Sequence, residues 1–211
     1  MGRHRLTVEE RRVPSVTPDL AAFDAASAWA WVAGELSIAA GSARHPFHLL
    51  TLATVTPDGQ PDTRTVVLRH FDPTARLIRF HTDIRSPKVQ AIRAEPRVAL
   101  HWYDPPLRVQ LRTTARATIH HGDAHAAAAW AAAAPMSRAY YTTAAAPGSA
   151  VDAFPEGPPA PDPGDDTGRD RFAVVSCRFE TLDVLALHAA GHQRVRLLLD
   201  RDPAAWTVLA P

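Results

Sequence analysis

Short strand-like segments separated by turns constrain the fold of this chain more than any other feature. Apolar and β-branched residues predominate in them, and the connection Thr56-Pro57-Asp58-Gly59-Gln60 between the first two is typical of a hairpin turn. Six or more strands with short turns favour a barrel. We therefore predict a mainly β fold with peripheral helices, of the α+β class. The predicted strands are 47–56, 63–71, 76–82, 97–103, 107–120, 172–185, 193–199 and 206–209.

Three helices are predicted outside the strands. The first covers residues 18–40, where Thr17 is a suitable cap and apolar residues recur near helical spacing. The second covers 86–94, and the third covers 123–134, where Trp130 is the expected anchor of an alanine-rich run. The apolar series of the first helix is Leu20, Phe23, Ala26, Ala30 and Ala33.

Residues that suit a phosphate-bearing ligand are concentrated between positions 64 and 88. A strand with Arg64 and Arg69 near its ends precedes a second strand that ends at Thr82. A helix then begins after Ser86, an acceptable N-cap, and Lys88 adds positive charge where backbone N–H groups already favour an anion. Arginine and lysine decorate many solvated strand and helix ends, so only the whole set indicates a site.

The two cations of the first of these strands cannot point the same way in regular geometry. Arg64 shares a face with Val66 and Leu68, whereas Arg69 lies on the other face with Thr65. Both can serve one ligand only if the strand bulges or bends, or if they address different parts of the site.

In order and spacing, these motifs resemble the pyridoxamine 5'-phosphate oxidase family. The resemblance covers residues 47–211, and its motifs are 64–69, 80–82, 86–88, 108–112 and the carboxyl end from Trp206 to Pro211. It implies an FMN-binding split β-barrel that works as a homodimer, with the flavin at the subunit interface. It also implies a small-molecule substrate that meets the flavin ring.

Carried over residue by residue, the resemblance implies a set of FMN contacts. Backbone groups in the middle of 64–69 would line the ring, Ser86 and Lys88 would hold the phosphate, and Arg196 would be a late flavin-contacting arginine, with Arg194 as its near competitor. No side chain is required as an acid or base. The implied cofactor-binding residues are Arg64, Thr65, Val66, Val67, Leu68, Arg69, His81, Thr82, Ser86, Lys88, Gln110 and Arg196.

The strand that carries Gln110 alternates between polar and apolar residues. Arg108, Gln110 and Arg112 fall on one face, and Val109 and Leu111 fall on the other. A solvent-facing barrel strand explains this pattern as well as a ligand-binding strand does. For a flavin ligand, the Gln110 amide can both donate to and accept from the pyrimidine edge of the ring.

The substrate-side motifs diverge more than the cofactor-side motifs. Ala134 stands where the family has an arginine before Pro135, and 192–194 replaces an Arg-Leu-His triplet. On the cofactor side, Pro87 replaces an arginine and His81 replaces a tyrosine. We therefore expect a flavin protein whose substrate differs from pyridoxamine phosphate.

Amino-acid composition limits the classes of function that remain. The 23 basic and 22 acidic residues give a net charge of +1, which disfavours a nucleic-acid binder that would use the strand arginines. No run is long and apolar enough for a membrane span, and no signal-peptide core is present. Cys177 is the only cysteine and lies in an apolar strand, so we expect a buried thiol and a cytoplasmic location.

Residues 1–17 are expected to form a mobile N-terminal segment, and residues 18–211 are expected to form one FMN-binding domain. The stretch 147–170, rich in Pro, Gly and Asp, is either a flexible surface loop or a lid near the substrate side of the flavin. His120, His121, Asp123 and His125 straddle a strand end and a helix start, which would scatter their side chains, so no metal site is expected.

The leading hypothesis is an FMN-dependent oxidoreductase that resembles pyridoxamine 5'-phosphate oxidase. Hydride would pass between a small-molecule substrate and the flavin, and oxygen or another acceptor would take the electrons. The alternative is a flavin-binding protein without pyridoxamine phosphate oxidase activity, either a flavin carrier or a reductase-like protein, which the divergent substrate motifs would explain.

Overall fold

Ten antiparallel strands form the framework of the part of the chain that the structure describes. The computed structural model describes residues 16–158, 164–200 and 205–211. The predicted mobile segment therefore lies outside the described residues except for positions 16 and 17, and so do residues 159–163 of the Pro/Gly/Asp-rich stretch. The strands are β1 (Leu49–Val55), β2 (Pro61–Val67), β3 (His70–Asp72), β4 (Leu77–Asp83), β5 (Arg97–Asp104), β6 (Val109–His120), β7 (Phe172–Phe179), β8 (Thr181–Ala186), β9 (Gln193–Leu198) and β10 (Ala205–Leu209).

The first seven strands curl into a barrel. β1 pairs with β2 on one side and with β5 on the other, and β6, β7 and β4 follow β5 through antiparallel pairs. After β2 the chain joins β4 as β3. At this junction the backbone N–H of Leu68 donates to His48 O, and that of Arg69 donates to Arg79 O. The junction closes the ring of strands and places Arg69 against β4.

The remaining strands, β8, β9 and β10, extend the sheet away from the barrel. The long strand β6 belongs to both parts: residues 109–112 pair with β8, whereas residues 115–120 pair with β7. β9 then lies between β8 and β10. The sheet divides along β6, so the split β-barrel expected from the sequence is confirmed.

The strand predictions are confirmed with two corrections. The predicted strand 63–71 is β2 and β3, because the chain leaves β1 after Val67 and joins β4 at His70. The predicted strand 172–185 is two strands, because the chain leaves β7 at Phe179 and begins β8 at Thr181. The intervening residue Glu180 donates its N–H to Thr114 O, where β6 changes partner. The polar face predicted for β6 is also present, since Gln110 and Arg112 lie outward while Val109 and Leu111 are buried.

Within the described residues, four α-helices pack around the sheet, and the first begins later than predicted. They are α1 (Ala25–Gly41), α2 (Pro87–Ala94), α3 (Ala124–Ala132) and α4 (Pro135–Ala139). Asp24, rather than Thr17, caps α1 through a reciprocal capping box with Ser27. The preceding residues form only a short 3-10 turn, whose Leu20 N–H donates to Gln193 on β9. This hydrogen bond ties the residues before α1 to β9, so they do not continue the helix.

The buried face of α1 also differs from the predicted one. Ala28, Val32, Leu36 and Ala39 are buried, whereas Ala26 and Ala30 are exposed. Most positions of this helix are apolar, so the sequence offers several stripes of similar hydrophobicity. Packing against β3 and the turn at Pro46–His48 selects one of them.

The barrel interior is filled by large apolar side chains, including Phe47, Phe80 and Trp102. Cys177 is fully buried among them, as predicted, and burial raises the pKa of its thiol to about 12. Among the helices of the described residues, none combines the length and hydropathy required to cross a lipid bilayer.

Candidate functional site

Three predicted site residues meet where β4 ends and α2 begins. The Nζ atom of Lys88 lies 3.2 Å from Thr82 Oγ1 and 3.2 Å from Ser86 Oγ, and the two hydroxyl oxygens lie 3.1 Å apart. Thr82 and Ser86 are buried, with exposed fractions of 5% and 0%. We refer to Thr82, Ser86 and Lys88 as the hydroxyl–lysine cluster.

Ser86 occupies the N-cap of α2, as predicted, but its hydroxyl does not cap the helix. The hydroxyl faces Thr82 and Lys88 instead. Pro87 occupies the first helical position, which suits its fixed backbone and its missing N–H. The cluster therefore adds two hydroxyls and an ammonium to a helix N-terminus, and this combination attracts an anion.

Lys88 is the only lysine of the chain, which otherwise uses arginine for its basic residues. Its ammonium has no ion-pair partner within the described residues. Burial, followed by repulsion from Arg64, lowers the pKa of the Lys88 ammonium below its ordinary value. A bound anion would relieve both effects, so the donor set fits a phosphate group.

Arg64 lies on the same side of the barrel wall as the cluster. Its guanidinium donates to Thr54 Oγ1 at 2.7 Å and forms an ion pair with Asp62. Its positive charge contributes, after burial, to the lowered pKa of Lys88. Arg64 is therefore a second cation at the cluster, partly neutralised by Asp62.

Arg69 and His81 lie on the opposite face, as the parity of the strands requires. On β4, Phe80 and Thr82 point inward, whereas Arg79 and His81 point outward. Burial, followed by a smaller contribution from Arg69, lowers the pKa of His81 to about 4. The imidazole is consequently neutral at pH 7. The predicted strand is interrupted at Leu68 and Arg69, between β2 and β3, and Arg69 borders the outward side of β4.

The outward residues of β4 border a cleft of about 380 Å³ beside α3, which we call the β4–α3 cleft. Its strand side includes Arg69, Arg79 and His81, and its helix side consists largely of alanine side chains. His81 packs edge-on against Phe172, with ring centroids 4.8 Å apart. Phe172 in turn contacts Trp130, the predicted anchor of α3, which is buried.

The predicted ring-contacting residues Thr65, Val66 and Val67 lie on β2. Within the described residues, β2 pairs with β1 alone. The backbone N–H and C=O groups on its other edge have no strand partner, and they are available to a ligand. Leu68, in contrast, is fully buried at the junction with β3, where its N–H already has a backbone acceptor.

Gln110 and Arg196 lie elsewhere in the same chain. Gln110 is opposite Tyr103 of β5 and Leu185 of β8, while Arg196 is on β9, five strands from β2 in the order of the sheet. Arg196 donates to the buried carboxylate of Asp183 at 3.2 Å. One copy of the chain does not bring these two residues to the hydroxyl–lysine cluster.

Asp183 is the centre of an arginine group that the sequence did not predict. Arg112 and Arg196 lie directly opposite Asp183 in register, and both form ion pairs with it, as does Arg194. Arg194 makes three hydrogen bonds to this carboxylate, whereas Arg196 makes one and is more exposed. Arg196 is thus the freer of the two arginines that were compared as flavin contacts.

Sequence reasoning also missed Arg79, although the two-residue period of β4 places it beside His81. For the histidines, the expected scattering was wrong in part. The His120 ring contacts Asp123 at 2.8 Å and packs on His125, and only His121 turns away, towards Asp170 O. Within the described residues, no three such side chains are placed to bind a metal ion.

Residues 28–121 match the family described as pyridoxamine 5'-phosphate oxidase, FMN-binding domain. The match covers 94 of the 211 residues, so the likeness is to the FMN-binding domain of this family. The matched residues include the hydroxyl–lysine cluster, β2 and Gln110, whereas Arg196 lies beyond them. FMN is thus the cofactor that this type of domain binds. The donor set of the hydroxyl–lysine cluster fits the phosphate of FMN.

Curated relatives in the pyridoxamine 5'-phosphate oxidase family match a part of the chain. A pyridoxine/pyridoxamine 5'-phosphate oxidase from Rubrobacter xylanophilus is 40% identical over 79 residues, which are 36% of this chain and 36% of that protein. One from Caulobacter vibrioides is 42% identical over 67 residues, or 31% of this chain and 29% of that protein. The matches span about a third of the length of these relatives.

Solved structures of this fold cover nearly the whole chain. A pyridoxamine 5'-phosphate oxidase-related, FMN-binding protein from Nostoc punctiforme has a TM-score of 0.70 and 26% identity, and the alignment covers 87% of this chain and 97% of that one. PhzG from Burkholderia lata has a TM-score of 0.68 and 19% identity, with coverage of 93% and 100%. The latter shows likeness of fold alone.

Proposed function

We propose that this protein is an FMN-dependent oxidoreductase that transfers hydride between a small-molecule substrate and the flavin. The observation that carries the proposal is the Lys88 ammonium, which is half-buried, adjoins two buried hydroxyls at a helix N-terminus, and has no ion-pair partner in the described parts of the chain. A terminal phosphate satisfies these donors. When bound, FMN supplies the redox centre, with oxygen or another acceptor as the electron sink.

The remaining contacts follow from the same placement. With the phosphate at Thr82, Ser86 and Lys88, and Arg64 beside them, the ring would lie along the free edge of β2 at residues 65–67. Backbone groups on that edge would hold the ring by hydrogen bonds without any charged side chain. Arg69 and His81, on the outward face, would border the ring and the space for the substrate.

We further propose that Gln110 and Arg196 reach the flavin from a second copy of the chain in a homodimer. Four strands lie between β9 and β2 in one copy, so a partner is the simpler source of these contacts. The outward face of β1 and β5 supports the proposal, because Leu49, Val55 and Tyr103 are 53%, 40% and 43% exposed there. Such an apolar face is typical of a protein–protein interface.

A second candidate function is flavin binding without turnover of pyridoxamine phosphate. Ala134 carries no cation into the β4–α3 cleft, and the nearby Arg138 donates instead to Ala131 O and Ala133 O. A phosphate-bearing substrate would therefore find no cation on the helix side. This arrangement suits either a different substrate or a flavin carrier.

An absorption spectrum of the purified protein, with mass identification of any released cofactor, tests FMN binding. We expect a yellow protein that releases FMN. Mixing of the oxidised flavoprotein with a candidate electron donor in the absence of oxygen then separates the two functions. Hydride transfer from a substrate would bleach the visible absorption of the flavin, whereas the flavin of a carrier would stay oxidised. A protein that remains colourless after incubation with excess FMN would contradict both.

A further inference from the structure

Asp183 is a buried carboxylate that three arginines share. It lies on β8 with 4% of its surface exposed, and it forms ion pairs with Arg112, Arg194 and Arg196 at 2.9 to 3.2 Å. Burial would raise the pKa of the Asp183 carboxyl, but the hydrogen bonds from Arg194 and the charge of Arg112 lower it below its ordinary value. The group therefore contains one negative charge and three positive charges, because guanidinium groups stay protonated in proteins.

The arginines of this group use their donors differently. Arg194 donates to Asp183 through both Nε and Nη2, and its side chain is 21% exposed. Arg196 donates through Nη2 alone, at 3.2 Å, and its side chain is 44% exposed. Within the described residues, no acceptor is placed for the other N–H groups of Arg196. Asp183 thus holds one edge of the Arg196 guanidinium and leaves the rest available to a ligand.

Arg196 has no alternative anchor in its surroundings. It lines a hollow of about 480 Å³ beside β5, β6, β8 and β9, together with His101, Arg112 and Asp183. Among the described residues that line the hollow, Asp183 is the one acidic side chain. Arg112 and Arg196 lie opposite it in register, so without its charge the two guanidinium groups would repel each other across β8. The carboxylate therefore fixes the direction of Arg196 and allows the cations to lie side by side.

We propose that Asp183 is a positioning residue of the flavin site, which acts by fixing the guanidinium of Arg196. The proposal rests on the proposed function, in which Arg196 contacts the flavin bound to a second copy of the chain. Asp183 is buried and its oxygens already accept from arginines, so it affects the flavin through Arg196 rather than by contact. An arginine that is held in one orientation before binding loses less conformational entropy when FMN binds.

Fluorescence titration of FMN against Asp183→Asn tests the proposal, because charge and orientation predict opposite signs. Removal of a negative charge alone would leave the hollow more positive and would tighten the binding of anionic FMN. Loss of a fixed Arg196 weakens FMN binding instead, and we expect a loss of about tenfold. Glu95→Gln is the matched control, since Glu95 also pairs with an arginine, Arg97, through both carboxylate oxygens but lies outside the hollow. This variant should bind FMN as the wild type does.

Two further variants test whether the effect passes through Arg196. In the Arg196→Gln background, Asp183→Asn should change FMN affinity by less than about twofold, because the residue that Asp183 positions is absent. Arg196→Lys keeps the charge but lacks the planar fork that can contact Asp183 and the flavin together, so we expect it to bind FMN as weakly as Arg196→Gln. Arg196→Lys leaves Asp183 paired with Arg194, and it decides the question if Asp183→Asn does not fold.

Three results would overturn the proposal. They are unchanged or tighter FMN binding by Asp183→Asn, a further loss of about tenfold in the Arg196→Gln background, and wild-type affinity of Arg196→Lys. Each of them leaves the FMN assignment standing, because the cofactor is still bound. Wild-type protein that takes up no FMN would instead contradict the proposed function, and this inference with it.

Discussion

The ammonium nitrogen of Lys88 lies 3.2 Å from the hydroxyl oxygen of Thr82, where strand β4 ends and helix α2 begins. A hydroxyl can accept this hydrogen bond, but it cannot neutralise the charge. Burial of the ammonium, followed by repulsion from Arg64, lowers the pKa of Lys88. A bound anion would neutralise the Lys88 ammonium. Lys88 is therefore the most direct residue to test.

Replacement of Lys88 by Gln should weaken FMN binding by about tenfold to a hundredfold, because one charge-assisted contact to the phosphate is lost. Fluorescence titration of flavin measures the effect. Riboflavin, which has no phosphate, is the matched control ligand, and its affinity should change little. An unchanged affinity for FMN would remove Lys88 from the phosphate site.

The pKa of Lys88 should rise when FMN or inorganic phosphate binds, since a nearby anion favours the ammonium form. Reductive methylation with a carbon-13 label marks Lys88 and the α-amino group alone, because no other lysine is present. Nuclear magnetic resonance across a pH titration then reports the pKa with and without ligand. A Lys88 signal that titrates identically in both states would contradict the site.

The neutral His81 ring should make the fold sensitive to acid. His81 has a pKa of about 4 in the fold against an ordinary 6.5, so the unfolded chain binds the additional proton between these values. The contribution to stability is complete above pH 6.5 and is lost as the pH falls towards 4, by at most about 3 kcal/mol. Urea unfolding at pH 7.5 and pH 4.5 measures it. His81→Gln should lose about 2 kcal/mol less than the wild type over this interval, and equal losses would refute the assignment.

Gly168 should tolerate no side chain. Its φ is +86°, and a Cβ atom would lie 2.7 Å from the backbone carbonyl of Tyr141. Gly59 has the same φ with no atom within 4 Å of such a Cβ, so it is the matched control. We expect Gly59→Ala to cost about 1 kcal/mol and Gly168→Ala to cost more than about 3 kcal/mol in chemical unfolding. Similar costs for both would show that the Tyr141 segment moves aside easily.

The strands were predictable because alternation is visible directly in the sequence, and the errors arose where that signal is weak. The change from β7 to β8 at Glu180 has no Gly or Pro to mark it, since the chain changes partner strand without a tight turn. In α1 the abundance of alanine concealed which stripe is buried. Ala28 and Val32 were identified only by what they contact.

The same distinction holds for the candidate site. Thr82, Ser86 and Lys88 lie within seven consecutive positions, so local sequence was sufficient to group them. Asp183 and Arg112 are distant in sequence and meet only through the register of β6 and β8. Such a pair can be identified only when the pairing of the two strands is known.

One strand, β6, is hydrogen-bonded both to the barrel and to the three-stranded extension. Its backbone is continuous through the division, and residues 109–116 pair with β5 on both sides of it. We therefore expect Arg196 to keep a fixed position relative to the barrel. Amide hydrogens in the middle of β6 should accordingly be among the slowest in the molecule to exchange with solvent deuterium.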